Sequence, residues 1–435
     1  MFGYVPVQAL APQDQSASVV TRCRAYSAGT YKRSRGDKNT VLSLHTYSGD
    51  YPIQTHTHSL SPHTLPKKDD RTKRRRMSFW LLDIITLLPS KWQNWILPSS
   101  TIHIVENSPQ KVQLSRIAHV YFEHANLEAF TRFAEDFGFV EAARKGNTIY
   151  YRGYGRDPYV YVASQSPTRR STFLGAAYVA KDEENFKKAA AMPGAVRRKL
   201  DEAPGAGEMV TFARPNGTFL YVVYGQKERD VEPKTTPTAT HDFQGPFNTP
   251  FEKPRKGQFQ RYHDGPALVH KLGHYGYVCK EFETELEFYT NNFNFVHSDI
   301  LNLPQFPQMD VMTFMHLDLG EEYTDHHTFF LQRASPTVSK TYVHHTSFEV
   351  ADFDTQLMGH HYLAQKGWKS VWGVGRHILG SQIFDYWYDS SKFKIEHYAD
   401  GDVVNCNNQT RREPVGPLSV WGPELPRDFG DNKAK

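Results

Sequence analysis

Apolar and polar residues alternate through "SRIAHVYFE" (115–123), the pattern of a strand with one buried face. The spacing then changes. "NLEAFTRFAEDFGF" carries apolar residues at helical intervals and closes on Gly138, a helix-stop signal. Two strand-like runs follow, "NTIYYRG" and "PYVYVAS". "TFLGAAYVA" restarts the cycle, with "DEENFKKAAAM" as its helix and "EMVTFARPNGTFLYVVYG" as strands about an "RPNG" turn. Beyond residue 268 the order returns. "KLGHYGYVC", "DVMTFMHLDLG", "HHTFFLQRA" and "VHHTSFEVA" read as strands, "EFETELEFYTNNFNF" and "DFDTQLMGHHYLAQKGW" as helices, and three strands finish the series.

The second half lies over the first. His119 falls on His274 and Phe139 on Phe295. Leu174 stands where His345 does, and Tyr221 where Glu396 does. Such a repeat predicts an α+β fold of four βαβββ modules in two pairs. One module exposes an apolar sheet face it cannot bury alone, so each pair should close a curved, mixed sheet around a cleft. The expected layout is an N-terminal extension (1–110), a first paired domain (111–228), a Pro-, Lys- and Thr-rich linker (229–268), a second paired domain (269–402) and a C-terminal tail (403–435).

Charge refines this layout. The chain carries a net +4, but residues 1–76 hold 13 Lys+Arg against 5 Asp+Glu, leaving −4 for the rest. The basic excess lies in a Ser-, Thr- and Pro-rich stretch without sustained period, which reads as disordered, so nucleic acid is not implied as a partner of the folded part. "FWLLDIITLLP" (79–89) is too short and too interrupted for a membrane span. Three scattered cysteines (Cys23, Cys279, Cys406) form no framework and suit a reducing, cytoplasmic setting. Monomer and homo-oligomer are both left open.

One stretch asks for more than burial. "GRHILGSQIFDYWYDSSKFKIEHYAD" places His377, Tyr386 and Glu396 at spacings of 9 and 10 residues within predicted strands. In "KFKIEHYA", Glu396 shares a face with Lys394 and Tyr398, while Ile395 and His397 share the other. A buried carboxylate needs a partner. His344 and His345 are neighbours, so strict alternation lets only one of them face a cleft.

Paired modules with these motifs resemble the vicinal oxygen chelate superfamily, and the second pair looks like the catalytic domain of type I extradiol ring-cleavage dioxygenases. The resemblance covers about 114–400 and is most specific over 270–400. It implies three metal ligands: His274 in "KLGHYGYV", His345 in "HHTSFEV" and Glu396 in "FKIEHY". Two imidazoles and a carboxylate on one face suit Fe(II) and leave room for a catechol and dioxygen. The resemblance further implies that His327 in "DHHTFFLQ", preferred to His326, is general base and then acid. His377 would hydrogen-bond the substrate or its ring-opened form, and Tyr386 the bound substrate oxygen. No organic cofactor is implied.

Three departures blur the substrate more than the metal. Ser390 follows Asp389 where proline is usual, Lys392 stands where glycine is usual, and Gly276 stands where some relatives carry asparagine. The reading is therefore an Fe(II)-dependent extradiol dioxygenase acting with O2 on a catechol or substituted catechol, such as a 2,3-dihydroxybiphenyl-like or alkyl catechol. The alternatives are a 4-hydroxyphenylpyruvate-dioxygenase-like enzyme and a non-enzymatic sequestering module of the same superfamily.

Overall fold

The computed structural model describes residues 100–231, 246–262, 264–427 and 429–430. The expected disordered extension, the "FWLLDIITLLP" stretch and Cys23 therefore lie outside the described residues.

The first half runs β1 (Leu114–His124), α1 (Leu127–Phe137), β2 (Val140–Lys145), β3 (Thr148–Arg152) and β4 (Tyr161–Gln165). It then repeats as β5 (Thr172–Ala180), α2 (Glu183–Ala191), β6 (Val196–Lys199), β7 (Glu208–Ala213) and β8 (Phe219–Tyr224). Asn126 caps α1 by accepting from the Ala129 N–H, and Gly138 ends it at φ 98°. A Cβ at Gly138 would lie 1.9 Å from the Ala267 carbonyl oxygen, so close packing as well as φ requires glycine there. The eight strands form one sheet in the order β2-β3-β4-β1-β5-β8-β7-β6. β1 and β5 pair antiparallel at its centre, and each has its own module's last strand beside it in parallel.

The second half repeats the plan. It runs β9 (Leu272–Cys279), α3 (Phe282–Asn292), β10 (Phe295–Leu303), β11 (Phe306–Leu317), β12 (Thr324–Asp325) and β13 (Phe329–Arg333). Its second module is β14 (Tyr342–Glu349), α4 (Phe353–Gln365), β15 (Ser370–His377), β16 (Ile383–Tyr388) and β17 (Lys394–Ala399). The central order is β10-β11-β13-β9-β14-β17-β16-β15. The four modules of the expected α+β fold are thus present.

Residues expected as a C-terminal tail do something else. β18 (Val403–Val404) pairs with β12, β19 (Arg411–Pro414) joins β10, and β20 (Ser419–Trp421) joins β15. They cover both edges of the large sheet, whose free N–H and C=O groups would otherwise lie open. Residues 100–110, expected within the extension, also dock. Ile102 is buried, and its N–H donates to Asp310 Oδ2 at 2.7 Å. The described parts of the 229–268 segment form no helix or named strand.

The halves share one hydrophobic core. Phe122 meets Phe393, Phe137 meets Phe348, and Phe173 meets Tyr275. Arg214 pairs with buried Glu285 through two contacts of 3.1 Å. β17 joins core and cleft. Ile395 belongs to the shared core and His397 stacks 3.7 Å from Phe137, so Glu396 and Tyr398 face the other way.

Candidate metal centre and substrate cleft

Three neighbouring strands bring the charged and imidazole groups together. His274 on β9 stands opposite Ser347 on β14, and Ser347 stands beside Glu396 on β17. His345 pairs with Gly276, two residues along each strand. His274 Nε2 and His345 Nε2 lie 3.0 Å apart. Glu396 Oε2 is 3.2 Å from the first and 3.3 Å from the second. Neither Glu396 oxygen has a partner in hydrogen-bond geometry, although the carboxylate is fully buried. Three converging ligand-type atoms, all within 4.8 Å of one another, form a cluster able to hold a metal ion.

The electrostatics favour that state. Burial opposes ionisation of Glu396, yet His274 and His345 hold its carboxyl well below the usual range. Burial pushes His345 down to about 4 against the pull of Glu396. Burial, with the neighbouring histidines, holds His327 well below its ordinary value. Neutral imidazoles and an ionised carboxylate are the forms a metal takes.

The β15–β16 hairpin supplies the next two residues. Tyr386 stands beside Glu396 in register, and its hydroxyl lies 3.0 Å from His377 Nε2. His377 Nδ1–H donates to the Leu418 carbonyl at 3.0 Å, so Nε2 accepts from the tyrosine. Leu418 lies in the former tail, just before β20. Burial holds Tyr386 well above the ordinary phenol range and lowers His377. His327 lies two residues before β13 rather than inside its strand, with its ring 4.2 Å from His274. All six sequence-derived residues thus lie in one cluster of side chains.

Two readings are corrected. Alternation should have turned either His344 or His345 away. A β-bulge between Val343 and His345 breaks it, and both rings are buried against Phe330. His344 Nδ1 lies 2.8 Å from His345 Nδ1, where it can orient the proposed ligand ring. The second correction is one residue of register in the first half. Tyr221 does match Glu396 by pairing, but the counterpart of His345 is Gly175, opposite Tyr121 as His345 is opposite Gly276. The shift arises from bulges, which the sequence does not announce.

Sequence reasoning also passed over the apolar walls. Phe330 occupies the space beside Gly276, where a Cβ would lie 2.2 Å from its ring. Phe429, near the C-terminus, packs on His344, Tyr386 and Trp372. Neither position carries a local signal, because each reaches the cleft through tertiary packing.

Comparison with known proteins follows the same lines. Residues 271–396 match the model of the Glyoxalase/Bleomycin resistance protein/Dioxygenase superfamily. The chain is 26% identical over 327 residues to Metapyrocatechase 2 of Cupriavidus necator, covering 73% of this chain and 91% of that protein. Homoprotocatechuate 2,3-dioxygenase from Brevibacterium fuscum, solved with 3,4-dihydroxyphenylacetate, superposes with a TM-score of 0.58 at 15% identity, over 75% of this chain and 95% of that one. The Mn(II)-bound glyoxalase from Novosphingobium aromaticivorans gives 0.56 at 18% identity, over 72% and 94%. These structures share the fold. The segment that carries the three converging donors is the segment matched, so residues 271–396 carry a domain of the Glyoxalase/Bleomycin resistance protein/Dioxygenase superfamily.

Proposed function

We propose that this protein is an Fe(II)-dependent extradiol dioxygenase, opening a catechol or substituted catechol beside its diol with insertion of both atoms of O2. The observation that carries the reading is the convergence of His274 Nε2, His345 Nε2 and Glu396 Oε2 from adjacent strands. The donor set fits a ferrous ion, and the unpartnered Glu396 oxygens are what such an ion would satisfy. When bound, the ion would supply Lewis acidity and electron transfer between catechol and dioxygen. The name of the Cupriavidus necator relative supports ring cleavage, and the ligand of the Brevibacterium fuscum structure supports a catecholic substrate.

The chain's own residues do the rest. A catechol hydroxyl, like a phenol, is protonated near neutral pH. His327 is neutral and sits beside His274, so it can take that proton and later return it. Tyr386 holds a substrate oxygen through its hydroxyl, and His377 Nε2 orients that hydroxyl. Phe330, Trp372 and Phe429 exclude water and suit an apolar ring substituent. No helix among the described residues is long and apolar enough to cross a membrane. The two free cysteines described, Cys279 and Cys406, accord with a cytoplasmic enzyme.

The test is anaerobic purification, metal analysis and a catechol panel watched for a yellow ring-fission product. Stoichiometric iron with a ring-opened product is expected. Iron-loaded protein that leaves every catechol intact would overturn the proposal.

A further inference from the structure

The doublet His326–His327 forced a choice between two candidate bases, yet the structure engages both. His326 Nε2 lies 2.8 Å from Asp299 Oδ2, and His326 Nδ1 lies 3.1 Å from His327 Nδ1. All three side chains are buried. We propose that Asp299 and His326 are positioning residues that fix His327 as its Nδ1–H tautomer, leaving the Nε2 lone pair to receive the substrate's proton. The inference rests on the reading of His327 as general base.

The argument is one of donors and acceptors. An ionised carboxylate only accepts, so His326 carries its proton on Nε2. A neutral ring then has its lone pair on Nδ1. The neighbouring His327 Nδ1 must donate to it, which leaves Nε2 of His327 bare. A doubly protonated His326 would reverse the order, donating at Nδ1 and placing the His327 proton on Nε2. The two states therefore make His327 a base or a hydrogen-bond donor toward the cleft.

His326 is held so that the chain of bonds persists. Its N–H donates to the Asp402 carbonyl at 3.0 Å. Its carbonyl accepts from Ser298 Oγ, which is also 2.7 Å from His316 Nδ1. A Cβ at Gly380 would lie 3.0 Å from His326 Nδ1, so the Gly380 backbone packs directly on the ring. Asp299 reaches the cleft from β10 and Asp402 from the C-terminal segment. The relay is thus assembled from parts far apart in sequence, as groups that orient a reacting residue often are.

The experiment reads tautomers directly. Full-length protein labelled with nitrogen-15 histidine is loaded with zinc, a diamagnetic stand-in for iron, and two-bond nitrogen–proton spectra are recorded. H326N and H327N assign the signals. The expected result is His326 protonated on Nε2 and His327 on Nδ1. Asp299→Ala should move the His327 proton to Nε2, at least in part. It should lower kcat of the iron enzyme by about 10- to 100-fold with KM little changed. A wild-type His327 protonated on Nε2 overturns the proposal, as does a D299A spectrum identical to wild type. If D299A does not fold, the wild-type spectrum decides, and the metal-free chain serves if zinc is not taken up. The expected tautomers in a protein that cleaves no catechol would leave the relay standing and sink the dioxygenase reading. Ring cleavage with the opposite tautomer would do the reverse.

Discussion

The two halves share a sheet plan and differ in what fills the cleft. In the second half, Gly276 follows the ligand-position histidine by two residues and leaves space taken by Phe330. In the first half Tyr121 holds that place, and its hydroxyl sits 3.0 Å from His119 Nε2. The nitrogen matching the His274 donor is thereby occupied. Tyr221 replaces the carboxylate and packs 4.6 Å from Tyr121. At the third position Gly175 has φ 148°, and a Cβ would lie 1.9 Å from the Phe219 carbonyl oxygen. No side-chain ligand fits there without moving the backbone. The scaffold is therefore held by aromatic packing in one half, and polar convergence in the other is an addition to it.

The largest expected effect breaks this contrast directly. His274→Ala, His345→Ala and Glu396→Ala should each remove iron and ring cleavage while keeping the fold, because each deletes one of three donors. His119→Ala should leave iron per chain unchanged. Metal content beside circular dichroism for the four variants is the measurement. Loss of iron from His119→Ala with its retention in His274→Ala would transfer the active cleft to the first half.

The next effect lies within the second half. His327→Asn should retain iron and lower turnover by about 10²- to 10⁴-fold, the usual contribution of a positioned acid–base group. Turnover near wild type would remove His327 from the proton path.

These residues show what the sequence made legible. Helix α1 announced itself through apolar residues at helical spacing and through Gly138 at its end. The proposed ligand triplet was legible through the resemblance of its three motifs to those of extradiol dioxygenases. The one-residue slip at Gly175, and the inward turn of His344, both follow from bulges that break the period of two. Asp299 gave no signal, because its partner lies 27 residues away across a sheet. "RREP" in β19 has no alternation and becomes a strand only because β10 offers an edge.

A smaller effect concerns acid. Burial pushes His119 and His124 of the first half to about 3 from an ordinary 6.5. Between those values the unfolded chain binds more protons than the folded one. Stability must then fall as pH falls through that window, by about 1.4 kcal/mol per unit for each ring. Urea unfolding at pH 6.5 and 5 checks this. His119→Phe should reduce the wild-type loss by about 2 kcal/mol over that interval. An unchanged loss would mean that His119 charges while folded.

The smallest effect sharpens the comparison at a turn. Strand register places Gly217 of the first half over Lys392 of the second, and both are left-handed, at φ 83° and 68°. The glycine meets no strain there, whereas a lysine loses about 1–2 kcal/mol in that conformation. Glycine in turn loses about 0.5–1 kcal/mol of backbone entropy on folding, so most of the difference cancels. The lysine turn has a second support. Asp389 Oδ1 accepts from the N–H groups of Ser391 and Phe393 at 2.8 and 2.9 Å, which holds the loop whatever residue sits at 392. Lys392→Gly should therefore raise stability by less than about 1 kcal/mol. It should leave iron content unchanged, because Glu396 is positioned by β17 rather than by the turn. The measurement is the urea midpoint at constant m-value, beside iron per chain. A lower midpoint would show that the lysine side chain holds the turn, and a loss of iron would show that the turn sets the carboxylate after all.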